Sequence, residues 1–444
     1  MVELPKGLEK KYESALGILD SYDKFRIISH YDGDGISAAS VLALTLMREN
    51  KGFHARFVSK IPENLPKDLP IILTDIGNSH LRRIKDIDEP VIVLDHHKVD
   101  ESIESEDDEH VYINPHDHDI DGSSEVSGGT LALLLSELYD KKNVSLSLYG
   151  LAGAAADKQN LNGFKGMNSS LLDEALEREE LIEKEGLFID GEDIKEALMK
   201  AGDPYFPGIS GRKKDIEQIL EDLDIDPETP VEDIPSKAER KLNTLLVVSL
   251  IETDIPSQVI ESIRGCHYIS NRYGTSVDIL YKLLNSAART KQAGLGMSIC
   301  LGDKDALEKT KEIRKTYREK MVERLQDLEE EGPTEKVNIQ YFFEEKKERK
   351  GELAGLAMLY IFDQSKPTLG ICELDDDIDI SARGTRKLVD KGLDLGMLCR
   401  ETAKKFDGRG GGHDIAAGAT VSKEYKDDFL DDFDRRVAKT LDKS

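Results

Sequence analysis

The chain has 444 residues, 88 acidic against 61 basic, and a formal net charge of -27. Its length exceeds one ordinary core, so two or three domains are expected. The acidity excludes a protein that wraps nucleic acid with its whole surface, because phosphate binding draws on Lys and Arg, so any polyanion must meet a local basic patch or bound metal ions.

The acidity also suits solubility in a salty cytosol. No run of about 18 apolar residues occurs, and the opening MVELPKGLEKKYES lacks a hydrophobic signal core, which predicts a cytoplasmic protein that does not enter a membrane. Cys266, Cys300, Cys372 and Cys399 lie far apart without CxxC spacing, so reduced thiols are expected rather than zinc or disulfides.

In chain order, residues 1–20 read as an amphipathic helix and Phe25 to His30 as a strand running into the acidic glycine turn Tyr31-Asp32-Gly33-Asp34-Gly35. Ile36 to Met47 is helical. Ala55 to Ser59 forms a strand, and Pro70 to Asp75 is an apolar strand ending in Asp, with Asn78 or Ser79 capping the helix that follows. Ile92-Val93-Leu94-Asp95-His96-His97 repeats that design with two imidazoles added. Val111 to Pro115 is the next strand. Such alternation of strands and helices predicts a parallel α/β sheet with crossover helices.

After the glycine-rich Gly122 to Gly129, a helix from Thr130 to Tyr139 leads to the small-residue segment Ser145 to Asp157. From Asn168 to Leu328 the periodicity is mostly helical and strand signals fade. Around Gly332-Pro333 the pattern changes to a second α/β domain, with strands over Val337–Phe343, Thr368–Glu373 and Ile378–Arg383 and helices over Leu353–Phe362, Leu393–Phe406 and Tyr425–Leu441. The acidic run Glu104 to Glu109 reads as a solvated loop. The predicted divisions are 1–165, 166–330 and 331–444.

His30, Asp32, Asp34, Asp75, His96, His97 and Asp157 all fall at or just beyond element ends of one sheet. In a parallel sheet those ends converge on one rim. Each close pair of ionised carboxylates there costs about 4 kcal/mol at roughly 4 Å and an effective dielectric near 20, a repulsion divalent cations would offset. Carboxylate oxygen mixed with imidazole nitrogen, without thiolate, suits Mn²⁺, with Mg²⁺, Co²⁺ or Zn²⁺ as substitutes. Two ions about 3.5–4 Å apart could share a carboxylate, orient a hydroxide and stabilise charge on a phosphoryl group, so phosphoester hydrolysis is the natural chemistry. A lone Asp at a strand end is more often a helix cap than a ligand; seven such groups with adjacent histidines are harder to explain that way.

His30-Tyr31-Asp32-Gly33-Asp34-Gly35, Thr74-Asp75, Asp95-His96-His97 and Ala156-Asp157, followed by Gly410-Gly411-Gly412-His413-Asp414-Ile415-Ala416-Ala417-Gly418-Ala419, resemble the motifs of the DHH phosphoesterase superfamily in the family's order. The resemblance implies an N-terminal parallel-sheet DHH domain, a helical connector or insertion, and a smaller C-terminal α/β DHH-associated domain. It implies that His30 and Asp32 hold one ion and Asp34, His96 and Asp157 the other, with Asp75 bridging. His97 would contact the scissile phosphate while Asp95 orients its neighbours. Arg383, in Ser381-Ala382-Arg383, would clamp phosphate, and Gly410, Gly411, Gly412 and His413 would approach the nucleotide backbone.

The large middle segment makes the chain most similar to archaeal RecJ-like exonucleases, some of which associate with the replicative helicase complex. The implied activity is a manganese-dependent exonuclease on single-stranded DNA or RNA, with DNA and 5′→3′ polarity favoured, in replication or repair. The strand would thread between the first domain and the associated domain. Hydrolysis of short oligonucleotides or cyclic dinucleotides, and a replisome adaptor with little activity, are the alternatives.

Lys309, Lys311, Arg314, Lys315, Arg318 and Lys320 supply a basic helical stretch, and Arg386, Lys387 and Arg409 add charge near the last motifs. The central group reads equally well as a solvated helix balanced by Glu308, Glu312 and Glu319. Asp117 to Gly122 opens like a calcium loop but has Gly128 at position twelve, where a bidentate Glu is needed. His110, His116 and His118 sit in a polar loop and read as solvent-exposed.

Overall fold

The computed structural model describes residues 4–98, 110–161, 163–187, 189–251, 255, 260 and 264–441. The acidic run 104–109 lies outside them. The chain divides into two compact units, one formed by 1–186 with 265–315 and the other by 187–264 with 316–444.

The first unit is built on five strands, β1 Lys24–His30, β2 Gly52–Val58, β3 Ile71–Thr74, β4 Val91–Leu94 and β5 His110–Ile113, in the order β2-β1-β3-β4-β5. All four pairings are parallel. Alternate residues serve opposite faces, as strand geometry requires. Ile27, Ile72, Ile92 and Leu94 enter one apolar cluster, while Ile28, Ile71, Leu73, Val91 and Val93 enter another. Burial on both faces explains why β3 is apolar up to Thr74 and β4 throughout, each followed abruptly by polar residues.

The first of these clusters is completed by helices: α1 Lys6–Ser21, α2 Gly33–Arg48, α4 Gly128–Tyr139, α5 Ser147–Ala156 and Val277–Arg289; α3 is the short Leu81–Ile84. Helix α2 starts where it does because the Asp32 carboxylate accepts a 3.0 Å hydrogen bond from the Gly35 N–H, a side-chain N-cap. Helix α4 carries a capping box between Ser127 and Thr130.

The register fixes the functional rim. Ser29 of β1 lies opposite Thr74 of β3, and Thr74 opposite Leu94 of β4, so the residues that follow each of them, His30, Asp75 and Asp95, emerge level with one another. Asp75 leaves the strand at φ +55, a left-handed turn that Asp tolerates better than most residues.

The second unit carries a six-stranded mixed sheet in the order β13-β14-β12-β11-β10-β9, where β9 is Thr334–Glu335, β10 Gln340–Phe343, β11 Thr368–Glu373, β12 Asp377–Arg383, β13 Arg409–Gly412 and β14 Ala416–Ser422. Only β10 and β11 run parallel; the remaining neighbours are antiparallel. The helices Leu395–Lys405 and Lys426–Leu441 contribute to its core through Leu398, Cys399, Phe429 and Phe433.

Three local expectations change. The central segment is not purely helical: β6 Ile182–Leu187, β7 Arg264–Ser270 and β8 Thr275–Ser276 form a small sheet, and β6, an edge strand exposed from Ile182 to Glu185, lacks the apolar alternation that would have announced it. Asn78 does not cap a helix, and its amide is used elsewhere. Arg318 is not available to a nucleic-acid strand: its guanidinium donates to the carbonyls of Asp190 (2.6 Å) and Lys200 (2.9 Å) inside the second unit. Among the described residues, no helix is long and apolar enough to cross a membrane.

One buried charge tests the packing of α4. Glu137 is 8% exposed and its Oε1 has no hydrogen-bond partner among the described residues. Burial, with the charge of Glu174 adding to it, pushes its carboxyl up to about 8. A folded-state value above the unfolded one means stability that is intact below the ordinary Glu range and is lost as pH rises toward about 8. Glu137→Gln is therefore expected to match the parent near pH 4 and to exceed it above pH 8 by something on the order of 2–4 kcal/mol in urea unfolding. An equal difference at both pH values would contradict this reading.

Candidate metal centre

At the rim of the first sheet the structure brings together His30, Asp32, Asp34, Asp75, His96, His97 and Asp157. Three groups offer ligand atoms within 4.8 Å of one another: His30 with Asp32 and Asp75, Asp34 with His96 and Asp157, and Asp75 with His96 and His97. Asp75 is the hinge of the set. Its Oδ2 lies 3.5 Å from His30 Nδ1, while its Oδ1 lies 3.2 Å from His96 Nε2. His96 Nε2 is also 3.3 Å from Asp157 Oδ2 and 3.6 Å from Asp34 Oδ2.

These residues reach the rim by different routes. Asp34 sits in the first turn of α2, fully buried, with Oδ1 accepting from Ser127 Oγ and the Gly129 N–H and Oδ2 accepting from the Gly128 N–H, all at 2.7–2.8 Å. It thus occupies the N-terminus of α4, where backbone donors and the helix dipole favour an anion. Glycine is required at Gly128 and Gly129, since a Cβ would come within 3.0 Å of an Asp34 carboxylate oxygen at either position. Asp157 ends α5 as its C-cap residue.

Asp95 does not join these groups. Its Oδ1 lies 2.8 Å from His97 Nδ1, and its Oδ2 accepts from the Asn78 N–H. The Asn78 amide donates to the carbonyls of Asp95 (3.0 Å) and His97 (2.8 Å), clamping the turn that carries both imidazoles.

The cluster is suited to cations by its unmet bonding. Among the described residues, both carboxylate oxygens of Asp75, Nδ1 of His30 and Nε2 of His96 are buried without a hydrogen-bond partner. His30 Nδ1 nevertheless lies 2.7 Å from Asp32 Oδ2. Polar atoms held this close without being aligned as hydrogen bonds form a set that could ligate a cation together. Leaving such groups unmet costs about 1–3 kcal/mol each, more when charged, unless an ion satisfies them.

Protonation points the same way. Burial pulls the His30 imidazole down, but Asp32 and Asp75 outweigh it and hold it up at about 10. His96 is likewise lowered by burial and raised well above the ordinary range by Asp157 and Asp75. Burial, with the charges of Asp157 and Asp75, pushes Asp34 well above the carboxylate range, and burial with the charge of Asp32 pushes Asp75 up to about 6. The field that retains protons on these groups is the field that attracts a divalent cation.

In the second unit, Arg383 ends β12. Its Nη1 donates to the Ala382 carbonyl at 2.9 Å, and among the described residues it has no carboxylate partner. Burial lowers the guanidinium, and Gly351 leaves room for it, since a Cβ there would stand 2.8 Å from Nη2. Gly410 and Gly412 have structural reasons to be glycine: a Cβ would meet the Cys399 carbonyl oxygen at 2.4 Å or Ala417 Cα at 2.6 Å. His413 is exposed and hydrogen-bonds through its N–H to the Ala416 carbonyl. No metal-binding group involving Asp117, Asp119, Asp121 or His110, His116 and His118 occurs among the described residues. His110 is buried rather than exposed.

The sequence reading missed Asn285. On Val277–Arg289, its Oδ1 stands so near the start of α2 that a Cβ on Gly33 would approach it to 2.3 Å. Nothing in its sequence surroundings announces this, because it reaches the rim from a segment distant in sequence.

Residues 24–155 match the family model for the DHH family N-terminal domain, and residues 335–439 match the DHHA1 domain. An uncharacterized protein of Methanocaldococcus jannaschii is 29% identical over 460 residues, covering 99% of this chain and 100% of its own length. Among solved structures, exonuclease RecJ bound to manganese superposes with a TM-score of 0.57 at 17% identity, over 98% of this chain and 95% of that one. CDC45 from Entamoeba histolytica superposes with a TM-score of 0.66 at 11% identity, over 99% and 100%.

Groups that ligate a metal must shed protons to bind, so the affinity of this cluster for a divalent cation such as Mn²⁺ is expected to rise with pH through the value of about 6 at Asp75 and onward toward that of His30. Calorimetry in buffers of different ionisation enthalpy should show net proton release near pH 7. Binding without proton release would contradict the protonation pattern. With its five-stranded parallel sheet ending in this rim and its two domain matches, the chain belongs to the DHH phosphoesterase superfamily and has a RecJ-like fold.

Proposed function

We propose that the protein is a two-metal phosphodiesterase that removes nucleotides from single-stranded nucleic acid, with Mn²⁺ as the working ion. One observation carries the reading: the two oxygens of the buried Asp75 carboxylate face two different imidazoles, Oδ2 toward His30 and Oδ1 toward His96, which is what a carboxylate shared between neighbouring cations requires. His30 and Asp32 would complete one position, and Asp34, His96 and Asp157 the other. Divalent ions held there supply Lewis-acid stabilisation to a phosphoryl group and lower the pKa of water.

The chain's own groups then divide the remaining work. The Asp95 hydrogen bond raises the His97 imidazole, with burial opposing it, which favours the charged form of the ring. Its side chain is 58% exposed, able to meet a phosphate oxygen while Asp95 fixes the ring. In the other unit Arg383, a cation without a carboxylate partner among the described residues, suits a phosphate contact of its own. The RecJ that shares this fold is an exonuclease bound to manganese, which supports the ion and the substrate class. The CDC45 likeness supports a place near replication.

Asp75→Ala and Asp157→Ala are expected to abolish Mn²⁺-dependent hydrolysis with folding intact. Arg383→Ala and His97→Ala should each lower turnover on the order of 10²-fold or more. The assay uses DNA and RNA strands labelled at either end, with a dinucleotide in parallel. Stepwise shortening of the long strand supports the exonuclease, preference for the dinucleotide would replace it with a short-oligonucleotide phosphodiesterase, and full activity in Asp75→Ala would reject the site.

A further inference from the structure

A chain of buried amides lies behind His96. His96 Nδ1 lies 2.5 Å from the carbonyl oxygen of Gly122. That same oxygen accepts a second bond, 3.0 Å from Gln159 Nε2, which also donates to the Val126 carbonyl at 3.1 Å. Gln159 Oε1 in turn accepts a 2.7 Å bond from Asn168 Nδ2, and the Asn168 N–H donates to the Glu125 carbonyl at 2.9 Å. Gln159 is 5% exposed and Asn168 fully buried. Two desolvated primary amides are expensive in a small-residue core unless their bonds have a task.

The chemistry of the bonds gives that task. An imidazole offers Nε2 as a ligand only when the proton resides on Nδ1, and a carbonyl facing Nδ1 enforces this tautomer. The Gly122 carbonyl can do so only if the 121–126 turn is held still. Gly122 lies directly against His96, where a Cβ would come within 2.0 Å of the His96 carbonyl oxygen. Gln159 straps both ends of the turn through the carbonyls of Gly122 and Val126. Asn168 Nδ2 donates to Gln159 Oε1, which leaves the Gln159 NH₂ for the two carbonyls.

We infer that Gln159 and Asn168 are positioning residues for the His96 metal position, acting through the Gly122 carbonyl to hold His96 with Nε2 presented to the ion. The inference rests on the metal-centre reading above. It also assigns the positions just after Asp157 and at the start of α6 Gly166–Glu177 a part in metal affinity.

Mn²⁺ titration calorimetry on the full chain separates the two. The parent is expected to bind two ions; if it binds none, the metal-centre reading itself fails. Gln159→Met and Asn168→Leu, which keep side-chain length and remove the amides, should weaken one of the two positions by about 10–100-fold, leaving the His30 position within a few fold. Circular dichroism and the melting temperature report folding in the same samples. A folded variant with both affinities unchanged, or with both reduced equally, would overturn the inference while leaving the metal centre standing. If either variant fails to fold, ¹⁵N imidazole shifts of the Mg²⁺-loaded parent, assigned with His96→Gln, provide the decision: a proton on Nδ1 of His96 supports the inference and a proton on Nε2 overturns it.

Discussion

Like charges held out of water are the constraint on which the first unit depends. Asp34 and Asp75 are almost wholly buried, and at effective dielectric constants near 20 each further carboxylate within about 4 Å adds roughly 4 kcal/mol of repulsion. A fold keeps such a cluster only if something offsets it. Part of the offset is local: the N-terminal N–H groups of α4 receive Asp34, and imidazoles face Asp32, Asp75 and Asp157. In the proposed centre the rest would be met by cations, and without them by protons, which is the sense of the raised values on His30, His96 and Asp34.

The parallel sheet is what makes this convergence possible. Level register across β1, β3 and β4 presents three successive chain exits on one rim, and the apolar interiors of those strands leave no choice about which residues lie outside. The small residues of α4 and α5 then allow backbone donors and the Asp157 turn to close in. Gly128, Gly129 and Gly153 all have an Asp34 carboxylate oxygen where a Cβ would go. The glycine content of the segment is thus a consequence of the charge cluster.

Much of the rim was legible because its residues are punctuation: an apolar run that stops at a carboxylate or imidazole is visible without knowing the fold. The parallel sheet followed from strand and helix alternation. What could not be read were contributions from residues whose role is set by tertiary proximity. Asn78 looked like a cap, yet its amide serves Asp95 and His97. Asn285 and Asn168 sit in helical stretches with no distinguishing pattern, and Arg318 looked like a phosphate contact, whereas its guanidinium lies on backbone carbonyls. Strand β6 was hidden because a charged edge strand has no hydrophobic period. The DHHA1 motif was visible, but the packing of Gly410 and Gly412 shows that part of its glycine content answers to the helix and strand behind it.

The central claim is that Asp75 is shared between two cations, each completed by its own ligand group. Anomalous diffraction at the manganese edge from crystals grown with Mn²⁺ tests it most directly. Two peaks are expected, one among His30, Asp32 and Asp75 and the other among Asp34, Asp75, His96 and Asp157. A single peak that Asp75 does not touch, or manganese bound only at surface carboxylates, would contradict the account.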